Sequence, residues 1–257
     1  MPFEALPLGE NDLGARATVT YATSLATLAV ERAIAPAAAA PEPTTAGLLA
    51  APAIPASVRA QMAVTQPGWH EPDPEAAGHL AETLAKLFAD DTATLRTADA
   101  ATEAAVRTLL ESADVVYLAA PLHVSVPVPL FTSVLVGGQE KGEAADDGRW
   151  EVREWFAGNA HARVLVVADA TSLGAAGIGG AMDAIAWAAC AAGVPSLVLG
   201  RWPAEAFSND LLLTAFHAEL AKGATPPEAW TAAVAAARAK AQAPAGWAGL
   251  RFIGRGP

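Results

Sequence analysis

Three short stretches of this chain are apolar at nearly every position: Val115-Val116-Tyr117-Leu118-Ala119, Val164-Leu165-Val166-Val167 and Ser196-Leu197-Val198-Leu199. A strand with one wet face alternates apolar and polar residues, so a strand without alternation is covered on both faces. Helix signals lie around these runs. Asp73-Pro74-Glu75 places proline in a first helical turn, and Ala77, Leu80, Leu84 and Leu87 follow at helical spacing. Thr102 opens a helix that runs to Leu110. A small-residue helix over 181–192 stops at Gly193, a further helix covers 209–220, and Pro226-Pro227 starts one that runs to Gln242. Doubly covered strands alternating with helices predict an α/β fold, a three-layer sandwich whose mainly parallel central sheet has helices on both faces.

Other stretches carry weaker patterns. Residues 17–21 alternate and are β-branched, which predicts a strand, with Thr23 or Ser24 capping a helix over 25–34. Pro36, Pro41 and Pro43 among alanines predict an irregular stretch, and 35–58 as a whole is rich in Pro and Ala, although 47–53 is apolar enough for a short strand. Residues 93–96, 131–136 and 250–253 are short strand candidates, 140–148 an acidic loop and 150–156 a helix. No period of 20–50 residues recurs, so 1–257 reads as one domain.

Composition narrows the function. With 53% hydrophobic residues over 257 positions, a well-buried core is available. The net charge of −11 repels phosphate backbones, and the 16 Lys and Arg form no basic patch, so nucleic acid is excluded as a partner. The longest low-charge run, 184–200, is broken by Gly193 and Pro195 and reads as a buried helix then a strand, not a membrane span. A single cysteine, Cys190, permits no intrachain disulfide. Together with an N-terminus, Met1-Pro2-Phe3-Glu4, that lacks the regions of a signal peptide, it predicts a cytoplasmic protein.

The segments also come in a telling order. From Arg163 the chain reads R-V-L-V-V-A-D-A-T-S-L-G, then a small-residue helix, then G-V-P-S-L-V-L-G-R-W-P, and at the end P-A-G-W-A-G-L-R-F-I-G. Upstream stand Pro2-Phe3-Glu4-Ala5-Leu6, Tyr21 to Leu25, the Ala101-Thr102 helix, Asp114 to Leu122, Leu130 to Val136 with Ser133, and Asp147-Gly148-Arg149-Trp150. Downstream stand Phe216-His217, Lys222-Gly223 with Ala229, and Trp247 to Gly254. This order and spacing resembles the CHAT domain family of caspase- and separase-like cysteine peptidases over nearly the whole chain. The resemblance implies the caspase-like fold. It also aligns the family's nucleophilic Cys with Ala170, in Ala168-Asp169-Ala170-Thr171-Ser172, and its general-base His with Pro121, the following Gly falling at Leu122. Alanine offers no nucleophile and proline no exchangeable proton. Losing nucleophile and base together costs about a million-fold in turnover.

The resemblance therefore implies a catalytically inactive module that binds a protein or peptide partner, with no cofactor or metal. In open α/β sheets ligands meet the carboxyl ends of the strands. Here those ends are 119–124, 169–174 and 200–203, and the candidate cleft residues are His123, Asp169, Thr171, Ser172, Arg201 and Trp202. Two alternatives stay open. His123, Asp169 and Ser172 have the types of a nucleophilic set, which would make a hydrolase with a substituted nucleophile; the plainer reading has Thr171 and Ser172 as caps and Asp169 bonding loop amides. The glycine run from Gly174 to Gly180 stands between a strand and a helix, as phosphate loops do, so a small ligand could bind there. Its order matches neither dinucleotide nor lysine-bearing phosphate motifs, and close helix–strand packing accounts for it more simply. Cys190, inside Ala-Trp-Ala-Ala-Cys-Ala-Ala, reads as a small buried hydrophobe. The histidines His70, His79, His123, His161 and His217 show no zinc spacing, and the acidic clusters at 71–75 and 140–147 read as solvated loops.

Overall fold

The computed structural model describes residues 3–8, 11–22, 24, 29, 44–66, 69–138, 146–168, 179–201, 206–240 and 247–254. A small hairpin, β1 (Pro7–Leu8) and β2 (Asn11–Asp12), precedes the main fold. Then come β3 (Ala46–Pro52), α1 (Ala56–Thr65), α2 (Pro74–Ala85), β4 (Ala93–Ala98), α3 (Glu103–Ser112) and β5 (Val115–Ala119). An excursion follows: β6 (Leu122–His123), β7 (Ser133–Leu135), β8 (Arg149–Glu151) and α4 (Val152–Trp155). The chain returns through β9 (Val164–Val167), α5 (Gly179–Ala191), β10 (Ser196–Gly200), α6 (Ala206–Ala221), α7 (Pro226–Lys240) and β11 (Leu250–Gly254).

Six strands form the central sheet in the order β11-β10-β9-β5-β3-β4. All neighbours are parallel except β11, which runs against β10. The two apolar runs at 115–119 and 164–167 are adjacent and parallel, with Val115 opposite Val164 and Leu118 opposite Val167. Their residues alternate between two cores. Val116, Leu118, Leu165 and Val167 pack under α3 and α5. Val115, Tyr117, Val164 and Val166 pack under α2, α6 and α7. This is the mainly parallel α/β sandwich with helices on both faces, and truncating a residue such as Leu118, wholly buried, to alanine costs about 2–5 kcal/mol. Gly47 of β3 is where α3 comes closest: a Cβ there would meet Leu109 Cδ2 at 2.9 Å.

Asp114 ties the strand starts together. Its Oδ2 accepts the Thr45 N–H at 2.9 Å and the Thr45 hydroxyl at 2.7 Å. Its own N–H donates to Thr45 Oγ1 at 3.0 Å, and its C=O accepts the Arg163 N–H at 2.8 Å. One residue thus fixes β3, β5 and β9 relative to one another.

Helix ends follow local chemistry. Asp73 caps α2 by accepting the Glu75 N–H, with Pro74 in the first turn. Thr102 caps α3 by accepting the Ala105 N–H. Gly193, with φ +99°, takes the left-handed turn after α5.

Several expectations change. The strand expected over 17–21 is a single bridge, Tyr21 to Ile253; Tyr21 exchanges backbone bonds with Phe252 and Gly254, and the preceding residues find no partner strand. The helix expected over 150–156 starts as strand β8, because Trp150 pairs with Val134, and only Val152–Trp155 is helical. The strand expected over 131–136 shortens to β7 and belongs to a separate antiparallel sheet, β6-β7-β8. The Pro/Ala-rich stretch 35–58 is regular where described: 46–52 is β3, and 56–58 open α1, whose Val58 and Met62 pack against Leu135. The helix expected over 25–34 and the irregular stretch 35–43 fall outside the described residues, but for the isolated positions noted above. No described helix is long and apolar enough to cross a membrane.

His217 is wholly buried on α6, edge-on to Tyr117 with ring centroids 5.5 Å apart. Its Nδ1 bonds the Leu213 carbonyl at 2.8 Å, and burial holds its pKa down to about 4. The unfolded chain takes that proton near pH 6.5, so folding stability is full above 6.5 and falls as pH drops toward 4, by on the order of 3 kcal/mol. His217→Phe should flatten this acid limb while leaving the neutral-pH limb close to wild type. Urea midpoints measured between pH 4 and 7 read this directly; an unchanged slope would contradict it.

Candidate functional site

Parallel pairing delivers the ends of β5 and β9 side by side. Pro121 lies three residues past Leu118, and Ala170 lies three residues past Val167, its register partner. Pro121 is buried, and its C=O accepts the Leu135 N–H of β7 at 2.8 Å. The chain therefore leaves the central sheet at Ala120-Pro121 and crosses into the small sheet. Asp169, Ala170, Thr171 and Ser172 lie outside the described residues, as do Gly174 and Gly177 of the glycine run. Gly179 and Gly180 are the first residues of α5.

His123 follows in β6, opposite Ser133 of β7. The bonds around it are local: the Val124 N–H donates to Gln66 Oε1 at 3.1 Å, and the Ser125 N–H to Thr132 Oγ1 at 3.2 Å. Its Nδ1 is buried, and the Phe131 backbone carbonyl stands close enough to the ring to favour its protonated form. Burial first, and then the positive charge of Arg149, hold the imidazole below its usual pKa. Of the set His123, Asp169 and Ser172, only His123 is described, and it is not among the residues lining the cavity at the ends of β5 and β9.

That cavity, of about 310 Å3, opens between the ends of β5 and β9, the start of α2 and the first half of α6. Tyr117, Ala119 and Ala168 form its floor; His70, Asp73 and Asp210 stand on its walls. Asp73 reaches the wall because it caps α2. Glu71, also on the wall, pairs with Arg59 at 2.9 Å. Burial pushes the Asp210 carboxyl up, and His79 pulls it part of the way back. In the 71–75 cluster, expected as a solvated loop, Asp73 and Glu75 are exposed, and Glu71 and Asp73 also border the cavity. The cluster's proximity to Asp210 was invisible in sequence because 137 positions separate Asp73 from Asp210. The one available signal was Asp73-Pro74 itself, since a helix that starts beside a strand's carboxyl end turns its capping residue toward the site.

Arg201 ends β10. Its N–H donates to the Gly249 carbonyl at 2.8 Å, and its guanidinium lies over the Tyr21 ring, 4.5 Å from the centroid. It is braced against the N-terminal segment and is not among the cavity walls. Trp202 lies outside the described residues. Among the described residues no group of three His, Cys, Asp or Glu side chains could hold a metal ion.

The family model described as the CHAT domain matches residues 1–255. A search of curated proteins finds no match.

The state of His123 is directly measurable. Its imidazole should titrate below pH 6.5, and Arg149→Gln should move the midpoint upward by removing the nearby positive charge. The C2 proton of His123 followed by NMR gives both values; a midpoint at or above 6.5 in the unmodified chain would refute the buried, charge-suppressed imidazole.

Proposed function

The chain belongs to the CHAT domain family, and on that premise we propose that it is a catalytically inactive, caspase-like module, a single domain over 1–257, that holds a peptide or protein segment at the carboxyl edge of its sheet. The observation that carries this is Pro121. It stands at the end of β5, where the resemblance puts the family's general base, and it is buried with its carbonyl engaged by β7. A proline ring can neither take nor give a proton, and Ala170, aligned with the nucleophile, has no group to attack with. His123 is displaced by two residues into another sheet and kept neutral by burial.

What remains at this edge is a cavity with carboxylates on its walls, Asp73 and Asp210, above an apolar floor. That chemistry suits an extended segment bearing a lysine or arginine whose stem lies on Tyr117 and Ala119. The net charge of −11 supports the same sign of partner and disfavours nucleic acid. The single cysteine agrees with action in the cytoplasm.

Two measurements test the reading. Dye-labelled peptides with a central arginine should bind, by fluorescence anisotropy, more tightly than glutamine counterparts. Asp73→Asn with Asp210→Asn should weaken the arginine peptide about five- to tenfold, as expected for two partly exposed ion pairs, with the α2 cap preserved because asparagine caps as well as aspartate. A serine-reactive fluorophosphonate should leave the chain unlabelled, and no peptide should be cleaved in a thiol-dependent way. Stoichiometric label on Ser172 that disappears in His123→Ala would replace this reading with that of a hydrolase with a substituted nucleophile.

A further inference from the structure

Between β6 and β7 the chain reads Val126-Pro127-Val128-Pro129-Leu130-Phe131, six residues without a polar side chain. Val126, Val128, Leu130 and Phe131 are nonetheless 42–57% exposed. The turn is held from beneath. The Phe131 N–H donates to the Val128 carbonyl at 2.9 Å, and the Thr132 N–H to the Pro129 carbonyl at 3.1 Å. Thr132, wholly buried, takes the Ser125 N–H on its hydroxyl and the Val152 N–H on its carbonyl. Two prolines fix their own φ angles as well. An apolar ridge this constrained loses little conformational entropy when it docks.

The ridge has aromatic neighbours. Its Pro129–Phe131 turn packs against both α4 and α5. Trp187, on the outward side of α5, is 51% exposed, and its ring lies 4.7 Å from that of Phe156 at the end of α4. Phe156 is exposed too. At about 150–250 Å2 for each whole large side chain, these six residues leave roughly 500 Å2 of apolar surface bare, near the upper end for a monomer. Two copies meeting through it would hide about 1,000 Å2 in an apolar centre, and a polar rim brings the total to the ~1,200–2,000 Å2 of a stable interface.

Charge selects the occupant. The chain carries −11 overall, so an anionic membrane is repelled, and two copies repel each other over most of their surfaces. Here the bordering charges cancel. Arg153, stacked over the Phe131 ring, pairs with Glu151, and Asp183, one turn before Trp187, pairs with Arg251. The face is also self-complementary in shape, since a ridge and an aromatic platform lie side by side on it. A twofold axis between them sets the ridge of each copy on the platform of the other. The carboxyl-edge cavity, walled by α2 and α6 on the opposite side of the sheet, stays open in such a pair. A smaller cavity of about 90 Å3 lies instead beside this face, at the amino edge where α3 and α5 end, lined by Trp155, Leu165 and Ala189.

We propose that this face joins two copies of the chain about a twofold axis, the Val126–Phe131 ridge of each lying against Phe156 and Trp187 of the other.

Sedimentation velocity on the full chain should show the mass rising from one chain to two with concentration. Leu130→Glu and Trp187→Lys should each weaken association about tenfold or more, with Tm unchanged because both side chains are exposed. Mixed in equal amounts, the two variants should dimerise again: one contact keeps leucine against tryptophan, and the other sets glutamate against lysine. Leu8→Glu should leave association unaltered, because its hairpin is tied through Asp12 to Arg238 of α7, on the opposite side of the sheet. A chain that stays monomeric up to about 100 µM overturns the proposal and leaves the face to a different protein. It is equally overturned if neither Leu130→Glu nor Trp187→Lys weakens the dimer, or if their mixture stays monomeric.

Discussion

Asp114 fixes the register on which every other feature rests. Through its carboxylate, N–H and C=O it holds the starts of β3 and β9 against β5. Strand side chains alternate with a period of two, so a slip of one residue would turn Leu118 and Val167 from one core to the other and expose the error on both faces at once. A residue at the amino edge thus dictates what arrives at the carboxyl edge. It sets Leu118 opposite Val167, the pair from which Pro121 and Ala170 are each three positions on along the sequence.

The departure from catalysis, on the proposed reading, is built into the path of the backbone as well as into side chains. Pro121 is pinned by the Leu135 N–H, and the next residue is already pairing in a different sheet. Restoring a histidine at 121 would return a ring with ionisable nitrogens to a buried place whose carbonyl is committed to β7. The carboxylates proposed to face the ligand are instead on α2's cap and on α6, where Asp73 and Asp210 border the cavity.

The central layer was legible because its signals are local. Five consecutive apolar residues at 115–119 and four at 164–167 can only be doubly covered strands, and Asp73-Pro74 and Thr102 announce helix starts by hydrogen-bonding chemistry that spans two or three residues. The misreadings share one cause. Residues 17–21 have strand composition but only Tyr21 meets a partner, and Trp150 has helix-compatible neighbours but pairs across to Val134; in both cases a distant strand decides. Helix α1 was hidden because Pro55 supplies no capping side chain and only Val58 and Met62 are buried. The cavity walls were hidden for the same reason as the pairings: His70, Tyr117, Ala168 and Asp210 come from four separate parts of the chain. The floor residues Ala119 and Ala168 adjoin the two positions that the resemblance aligns, whereas the acidic wall comes from segments the resemblance does not mark.

Leu165 borders the amino-edge cavity and Ala168 the carboxyl-edge one, and both follow from the single strand β9. Three residues of extended chain span about 10 Å. The strand is hydrogen-bonded on both sides, Leu165 lying opposite Val116 and Leu197. A strut so short, gripped along its length, cannot bend between its ends without breaking ladder bonds. Sliding β9 along its axis would break the same ladder bonds, so the strand holds these two lining residues at a fixed separation and keeps the two hollows mechanically apart.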